Sequence, residues 1–202
     1  MLERDTVHDR WMVRLSRWRV DLAWLGVLVV PFARPTAHSI AVALPFVATG
    51  VLLRAWARGH LDRARKVTQT GPYAYLRHPL YVGSFCIALG FAVSMRVPLL
   101  TPLVAVLFLV MYVPKALREE AWMRERFGVE YDAYANRVGA VVPRLPASTE
   151  FRWRRVVEHR EWKTWAGVVA LLALLCLRAA VHAHGAARSD RSARVAAPFA
   201  VR

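Results

Sequence analysis

The chain has 202 residues, 56% of them hydrophobic, and a formal net charge of +15. Its apolar residues are gathered in long blocks rather than spread with the period of an amphipathic helix or strand, which excludes an ordinary soluble domain. Arginine dominates the cationic set and falls mostly between those blocks, so the charge reads as membrane topology rather than as a nucleic-acid surface.

The segment Met1 to Arg19 is long, mixed in charge and without a small-residue cleavage site before Val20, so the apolar run that follows is expected to stay in place as an anchor. Apolar runs at Val20 to Ala33, Ile40 to Leu53, Leu80 to Met95, Leu99 to Val113 and Trp165 to Leu177 approach, with their flanks, the roughly 17 to 25 residues that cross a bilayer. They predict an all-α, multi-spanning membrane bundle of about five helices, several of them short, with short cytosolic helices completing a pocket. Arg34 to Ser39, with Pro35, predicts a tight hairpin between the first two segments, and Pro45 predicts a kink in the second. Arg96-Val97-Pro98 allows only a turn, so the third and fourth segments form a second hairpin.

Lys115 to Phe127 is amphipathic and helical, Gly128 is a terminator, and a short helix holding Tyr131, Tyr134 and Arg137 is expected after it. Beyond Pro143-Arg144-Leu145-Pro146, the basic, Trp-bearing stretch Arg152 to Lys163 reads as an interfacial helix feeding the last apolar run. From about Gly185, small and charged residues predict a disordered end. The organisation expected is residues 1–39 as a basic segment and first membrane helix, 40–146 as a core and 147–202 as interfacial helix, last apolar helix and tail.

Arg4, Arg10, Arg14, Arg17 and Arg19 precede the first segment, Arg54, Arg58, Arg63, Arg65 and Lys66 follow the second, and Lys115, Arg118, Arg124 and Arg126 follow the fourth. Alternating segments put all three groups on one side, which the positive-inside rule makes cytosolic. A fifth crossing sends Arg188, Arg191, Arg194 and Arg202 to the other side, against that rule, unless the last segment lies shallow. Cys86 and Cys176 sit inside apolar runs and read as small buried hydrophobes, not as a disulfide or a metal site.

Two polar blocks stand out against this background. The first, Gly71-Pro72-Tyr73 through Arg77-His78-Pro79 to Tyr81 and Gly83, crowds cations and tyrosines at the mouth of an apolar segment. The second follows the return segment, with Glu119-Glu120, Phe127-Gly128, Tyr131, Tyr134, Arg137-Val138 and Pro143. The hairpin brings both to one face, the convergence a site requires. There is no G-x-G-x-x-G, Walker A loop, H-E-x-x-H or paired-cysteine motif, so a Rossmann nucleotide site is not expected.

Over Gln69 to Pro143 the order and spacing of these residues resemble the integral membrane methyltransferases that include isoprenylcysteine carboxyl methyltransferase and the phospholipid N-methyltransferases. The resemblance implies S-adenosylmethionine as cofactor and a lipophilic or small acceptor such as a lipid amine, a carboxylate or a thiol. Its cofactor residues map onto Tyr73, His78, Pro79, Tyr81, Gly83, Glu119 and Glu120, with the Glu pair at the amino end. Arg77 and Arg137 are candidates to orient an anionic acceptor, Tyr131 and His78 to take a proton. Implied partners are the membrane and a lipophilic acceptor, with no nucleic acid, no metal and no obligatory protein partner; the arginine-rich composition favours a bacterial inner membrane, with the N-terminus and active site cytosolic. A reductase related to the membrane sterol reductases and a non-catalytic scaffold are the competing readings. The resemblance leaves Met1 to about Ser39 and Ala147 to Arg202 uncovered.

Overall fold

A computed structural model describes residues 29–61, 66–143 and 162–196. Residues 20–28 of the expected first membrane segment and most of the interfacial stretch before Lys163 lie outside the described residues. Val30–Phe32, a single 3-10 turn, belongs to a unit of its own and is described by itself. The remainder is all-α: α1 (Ala37–His60), α2 (Pro79–Met95), α3 (Leu100–Phe127), α4 (Val129–Arg137) and α5 (Trp162–Ala196), with a 3-10 turn at Gly71–Ala74.

Three of these helices, α1, α3 and α5 as far as Gly185, are long and apolar enough to cross a membrane; α2 is apolar but shorter. The chain is an integral membrane protein. Thr36 and Ser39 start α1 with a reciprocal capping box, Ser39 N–H donating to Thr36 Oγ1 at 3.1 Å and Thr36 N–H to Ser39 Oγ at 3.0 Å. The Ser39 hydroxyl also donates to the Ser94 carbonyl at 3.0 Å, and Arg34 N–H donates to Met95 O, tying the start of α1 to the end of α2. The two helices are therefore antiparallel neighbours. At Arg96 the chain turns through the left-handed region (φ 54°) and leads into α3.

The α1–α2 seam is built from small residues. Ala43, Val47, Gly50, Arg54 and Ala57 are buried along one face of α1, and Gly83 and Gly90 meet that face from α2. A Cβ at Gly50 would lie 2.5 Å from the Gly83 carbonyl, and one at Gly90 would lie 2.7 Å from Val47 Cγ2. In hydrocarbon, where burial itself gives helices little reason to associate, such close backbone approach supplies the packing that holds them. Arg54 crosses the same seam. Its Nη1 donates to Ser84 Oγ at 2.5 Å and to the Leu80 carbonyl at 3.4 Å, and its Nη2 to Thr164 Oγ1 of α5 at 3.4 Å.

α3 departs from expectation, because the fourth membrane segment and the amphipathic stretch after it form one continuous helix through Pro114. Arg118 Nε donates to the Pro114 carbonyl at 3.1 Å, one turn beyond the position where the missing proline N–H interrupts the ladder. Pro45 is likewise accommodated within an unbroken α1. α5 runs to Ala196, past the point where disorder was expected. The small and charged residues expected there to be disordered include alanines and arginines, which are also strong helix formers, and a helix already formed in the membrane propagates through them.

Candidate functional site

The site lies at the end where α1 finishes, α2 begins, α3 leaves its apolar stretch and α4 follows. Its floor is the loop before α2. Gly71 takes a positive φ of 60°, and the ring of His60, buried and hydrogen-bonded through Nδ1 to the Trp56 carbonyl at 3.0 Å, occupies the space a side chain there would need. Leu76 pairs with Gly139 in an isolated parallel bridge; Arg77 N–H donates to Gly139 O at 2.8 Å and His78 N–H to Ala140 O at 3.2 Å. These bonds fix the backbone of the Arg-His pair against the segment after α4. His78 then caps α2, whose first residue, Pro79, suits a position where its missing N–H costs nothing.

From α3, Glu120 reaches into this loop. Glu120 is buried, and its carboxylate is enclosed by two guanidinium groups and an imidazole: Oε1 lies 2.9 Å from His78 Nε2 and 3.1 Å from Arg77 Nε, and Oε2 lies 3.4 Å from Arg124 Nη2. Arg77 is also held through Nη1, which donates to the Ala135 carbonyl of α4 at 2.9 Å. Glu119, the neighbouring residue, is different. Its Oε2 accepts from the Tyr81 hydroxyl at 2.6 Å in an exposed contact.

The Tyr81 ring stacks on His78, with centroids 5.5 Å apart, and starts an aromatic file that descends between α2 and α3. Tyr81 meets Tyr112 at 5.1 Å, Tyr112 stacks on Phe108 at 3.9 Å, and Phe108 meets Phe85 at 4.9 Å. Lys115 sits at the head of the file, its Nζ 5.1 Å from the Tyr81 centroid and 5.9 Å from that of Tyr112.

Other sequence-predicted residues take supporting places. Tyr131 and Tyr134 are buried with Val67 and Val138, and Met123 and Phe127 pack against the cluster. The Tyr134 hydroxyl donates to the Tyr73 carbonyl at 2.7 Å, so Tyr73 enters through its backbone. Burial, reinforced by the Glu120 charge, pushes the Tyr131 hydroxyl up to about 12; burial pushes Tyr134 up further, with Tyr131 and Tyr73 adding to it. Both phenols stay neutral across the physiological range. Gly83 faces α1 rather than the polar cluster. Arg137 lies on the exposed side of α4 and donates to Gln69 Oε1 at 2.9 Å and to the Ala133 carbonyl at 3.2 Å. The structure thus gathers Arg77, His78, Tyr81, Glu119 and Glu120, and leaves Arg137 outside that group.

From sequence, Arg54 and Lys115 read as topology charges only, and Arg124 as a topology charge spaced for an ordinary i,i+4 surface pair with Glu120, a pair the structure has with the carboxylate buried. A signal for Arg54 existed, since Ala43, Val47, Gly50, Arg54 and Ala57 recur at helical spacing and put the arginine on the buried stripe.

A phospholipid methyltransferase family model matches residues 55–130, which span the end of α1, the whole Arg-His loop, α2 and α3. The chain is 31% identical over 144 residues to the nickel-cobalt-cadmium resistance protein NccN of Alcaligenes xylosoxydans xylosoxydans, covering 65% of this chain and 67% of that one. It is 34% identical over 76 residues to the protein-S-isoprenylcysteine O-methyltransferase of Schizosaccharomyces pombe, covering 38% and 32% of the two chains. With the enzyme of the same name from Saccharomyces cerevisiae it shares 35% identity over 93 residues, covering 42% and 37%. The matched region thus spans about a third of each yeast enzyme. No solved structure matches the chain. With both motif blocks joined at one end of a membrane hairpin, the chain belongs to the integral membrane methyltransferase family that includes the isoprenylcysteine carboxyl methyltransferases and the phospholipid methyltransferases.

Proposed function

We propose that this protein transfers a methyl group from S-adenosylmethionine to a lipophilic acceptor at the cytosolic face of a bacterial inner membrane, with residues 40–146 forming the catalytic core. The observation that carries the proposal is the junction of two unlike surfaces at His78 and Tyr81: a charged cluster of Arg77, His78, Glu119 and Glu120, and an aromatic file running down toward Phe85. A water-soluble donor suits the first and an apolar acceptor the second.

The donor set fits the cofactor. Arg77 Nη2 and His78 Nδ1 make no hydrogen bond to a described residue; Arg77 Nη1 and His78 Nε2 are hydrogen-bonded, and Arg77 Nε meets Glu120 as an ion pair without a hydrogen bond. Arg77 would hold a carboxylate through that free edge, Glu119 an ammonium, and Tyr81 a flat apolar face. When bound, S-adenosylmethionine supplies an electrophilic methyl group on a sulfonium.

The protein's own task is then to align acceptor and donor and to exclude water, which needs no covalent intermediate on the enzyme. Loop and α4 are fastened to each other through Arg77, His78 and Tyr134, so the aligned parts form one rigid unit. His78 Nε2 faces a carboxylate and carries its proton there, leaving the Nδ1 lone pair to accept a proton from a protonated acceptor. Tyr131, neutral up to about pH 12, serves as packing rather than as a base. The orientation follows from the charges flanking α1 to α4: Arg58, Lys66, Lys115, Arg118, Arg124 and Arg126 lie at the site end, against Arg34 and Arg96 at the other, while the end of α5 with Arg188 runs against this bias.

The test is calorimetric titration of S-adenosylhomocysteine into the protein in nanodiscs, with NADPH as control. Micromolar binding of the first alone is expected. No binding, or binding of NADPH in its place, would overturn the proposal.

A further inference from the structure

Two adjacent carboxylates at one site invite a single role, yet their surroundings are opposite. Glu120 is buried, and both its oxygens are already occupied: the Arg77 guanidinium and the His78 ring on Oε1, the Arg124 guanidinium on Oε2. A carboxylate so occupied has little capacity left for a ligand's ammonium, and taking it away from its partners would strand buried positive charge. Among the described residues, the hydrogen bond Glu119 makes is with the Tyr81 hydroxyl, in an exposed contact.

Resting on the proposed function, we infer that the pair divides its labour: Glu120 is a positioning residue that never touches the donor, and Glu119 is the carboxylate that receives the donor's ammonium. Glu120 acts through the residues it grips. Its charge holds the Arg77 guanidinium on the Nε side, while the Ala135 carbonyl fixes it through Nη1, which leaves Nη2 as a preset donor on the outer edge. It also fixes the His78 tautomer by accepting at Nε2. Arg124 completes the clamp and links it to α4 through Asp132 Oδ1 at 3.2 Å, while its guanidinium covers the Tyr131 ring at 5.6 Å. Glu119 differs by one helix position, about 100° around α3. That rotation turns it from the loop toward Tyr81 and the aromatic file.

The two roles separate when the ligand is trimmed. The experiment measures affinity in nanodiscs for three probes, S-adenosylhomocysteine, its analogue without the amino group and its analogue without the carboxyl group, with wild type, Glu119→Gln and Glu120→Gln. Loss of a charge-assisted contact at Glu119 weakens S-adenosylhomocysteine roughly 10- to 100-fold, and that loss disappears with the deaminated probe. For Glu120→Gln the loss persists with the deaminated probe and shrinks below about twofold with the decarboxylated one, because it runs through Arg77.

A Glu120→Gln loss that vanishes with the deaminated probe would place Glu120 on the ammonium and overturn the inference, as would a Glu119→Gln variant with wild-type affinity. Failure of the wild type to bind S-adenosylhomocysteine at all is a separate result, which overturns the proposed function and this inference together. If Glu120→Gln does not fold, Glu120→Asp carries the same comparison, and the 15N shifts of His78 in labelled protein supply a second readout. Wild type should show the proton at Nε2 and the aspartate variant a mixture of tautomers; unchanged shifts would overturn the positioning role.

Discussion

Replacing Tyr134 by phenylalanine removes one oxygen from the interior and tests whether α4 holds the Arg-His loop in place. The hydroxyl donates to the Tyr73 carbonyl at 2.7 Å, both partners being buried, and Tyr73 lies in the turn that leads directly to Arg77 and His78. Nothing else changes shape, so the cost is that of deleting the donor to a buried carbonyl, about 1 to 3 kcal/mol. If the loop opens as a local unit, that energy comes out of its own opening equilibrium, and the amides behind it exchange roughly 5- to 150-fold faster. Arg77 and His78 supply the reporters, since their N–H groups are bonded to Gly139 O and Ala140 O. Hydrogen exchange with mass spectrometry on the nanodisc protein reads peptides across Leu76 to His78, with the α1–α2 seam as internal reference. Exchange at Arg77 and His78 no faster than in wild type, with the variant folded, would refute the claim that α4 secures the loop.

Four further outcomes follow from the same contacts. In alkaline titration followed by tyrosine absorbance, Tyr131 and Tyr134 should ionise above the ordinary tyrosine value, Tyr131 near pH 12; because their folded values lie above the unfolded value of about 10, the stability they give is complete below pH 10 and is lost as pH rises toward 12, so Tyr131→Phe should move the onset of alkaline unfolding upward. Gly50→Leu should cost about 1 to 3 kcal/mol or more by overpacking, read as lost thermal stability and yield, whereas Gly167→Ala, where nothing lies within 4 Å, should be neutral or slightly stabilising. Arg54→Met should raise exchange around Thr164 roughly 5- to 30-fold, as expected for 1 to 2 kcal/mol of lost hydrogen bonding, while leaving the Arg77 and His78 amides protected. Phe108→Ala, which breaks the file between Tyr112 and Phe85, should raise the KM for a lipophilic acceptor about tenfold with S-adenosylhomocysteine affinity unchanged; equal losses for both ligands would remove the file from the acceptor path.

The convergence of the two motif blocks was legible because it follows from topology alone: a turn at Arg96 to Pro98 sends the chain back, and both blocks must emerge on one face. Gly128 and the short helix after it were legible for a local reason, since the residue there has a positive φ of 52° and ends one helix to begin another. Other features depended on partners that sequence does not reveal. Gly83 sits within a motif, yet its proximity to Arg54 Cγ and the Gly50 carbonyl depends on which face of α1 meets α2. Glu119 and Glu120 look equivalent in the chain and become unlike only when α3 is placed against the loop. The continuous α3 and the long α5 were obscured by the opposite problem, a local breaker or a polar composition that tertiary and helix-propagating context overrides.

Helix lengths carry the last step. α2 has 17 residues and α3 has 28, which at about 1.5 Å per residue makes them roughly 26 and 42 Å long, one shorter and one longer than a hydrocarbon core of about 30 Å. Antiparallel neighbours joined by a short turn share a level at that turn, so the whole difference appears at the other end, where α3 rises past the start of α2. Glu119, Glu120 and Arg124 stand on the rising part, and His78 lies at the lower mouth. The step between them is where a soluble donor can be approached from above and an apolar acceptor from the side, and the aromatic file from Tyr81 to Phe85 lies along that side. α5 fits the same scheme, since the Arg54 contact to Thr164 puts its first turns at the site end. Its later residues, Arg188 among them, therefore emerge on the face away from the site, and the basic tail that contradicts the positive-inside rule belongs to a helix that is nevertheless long enough to cross.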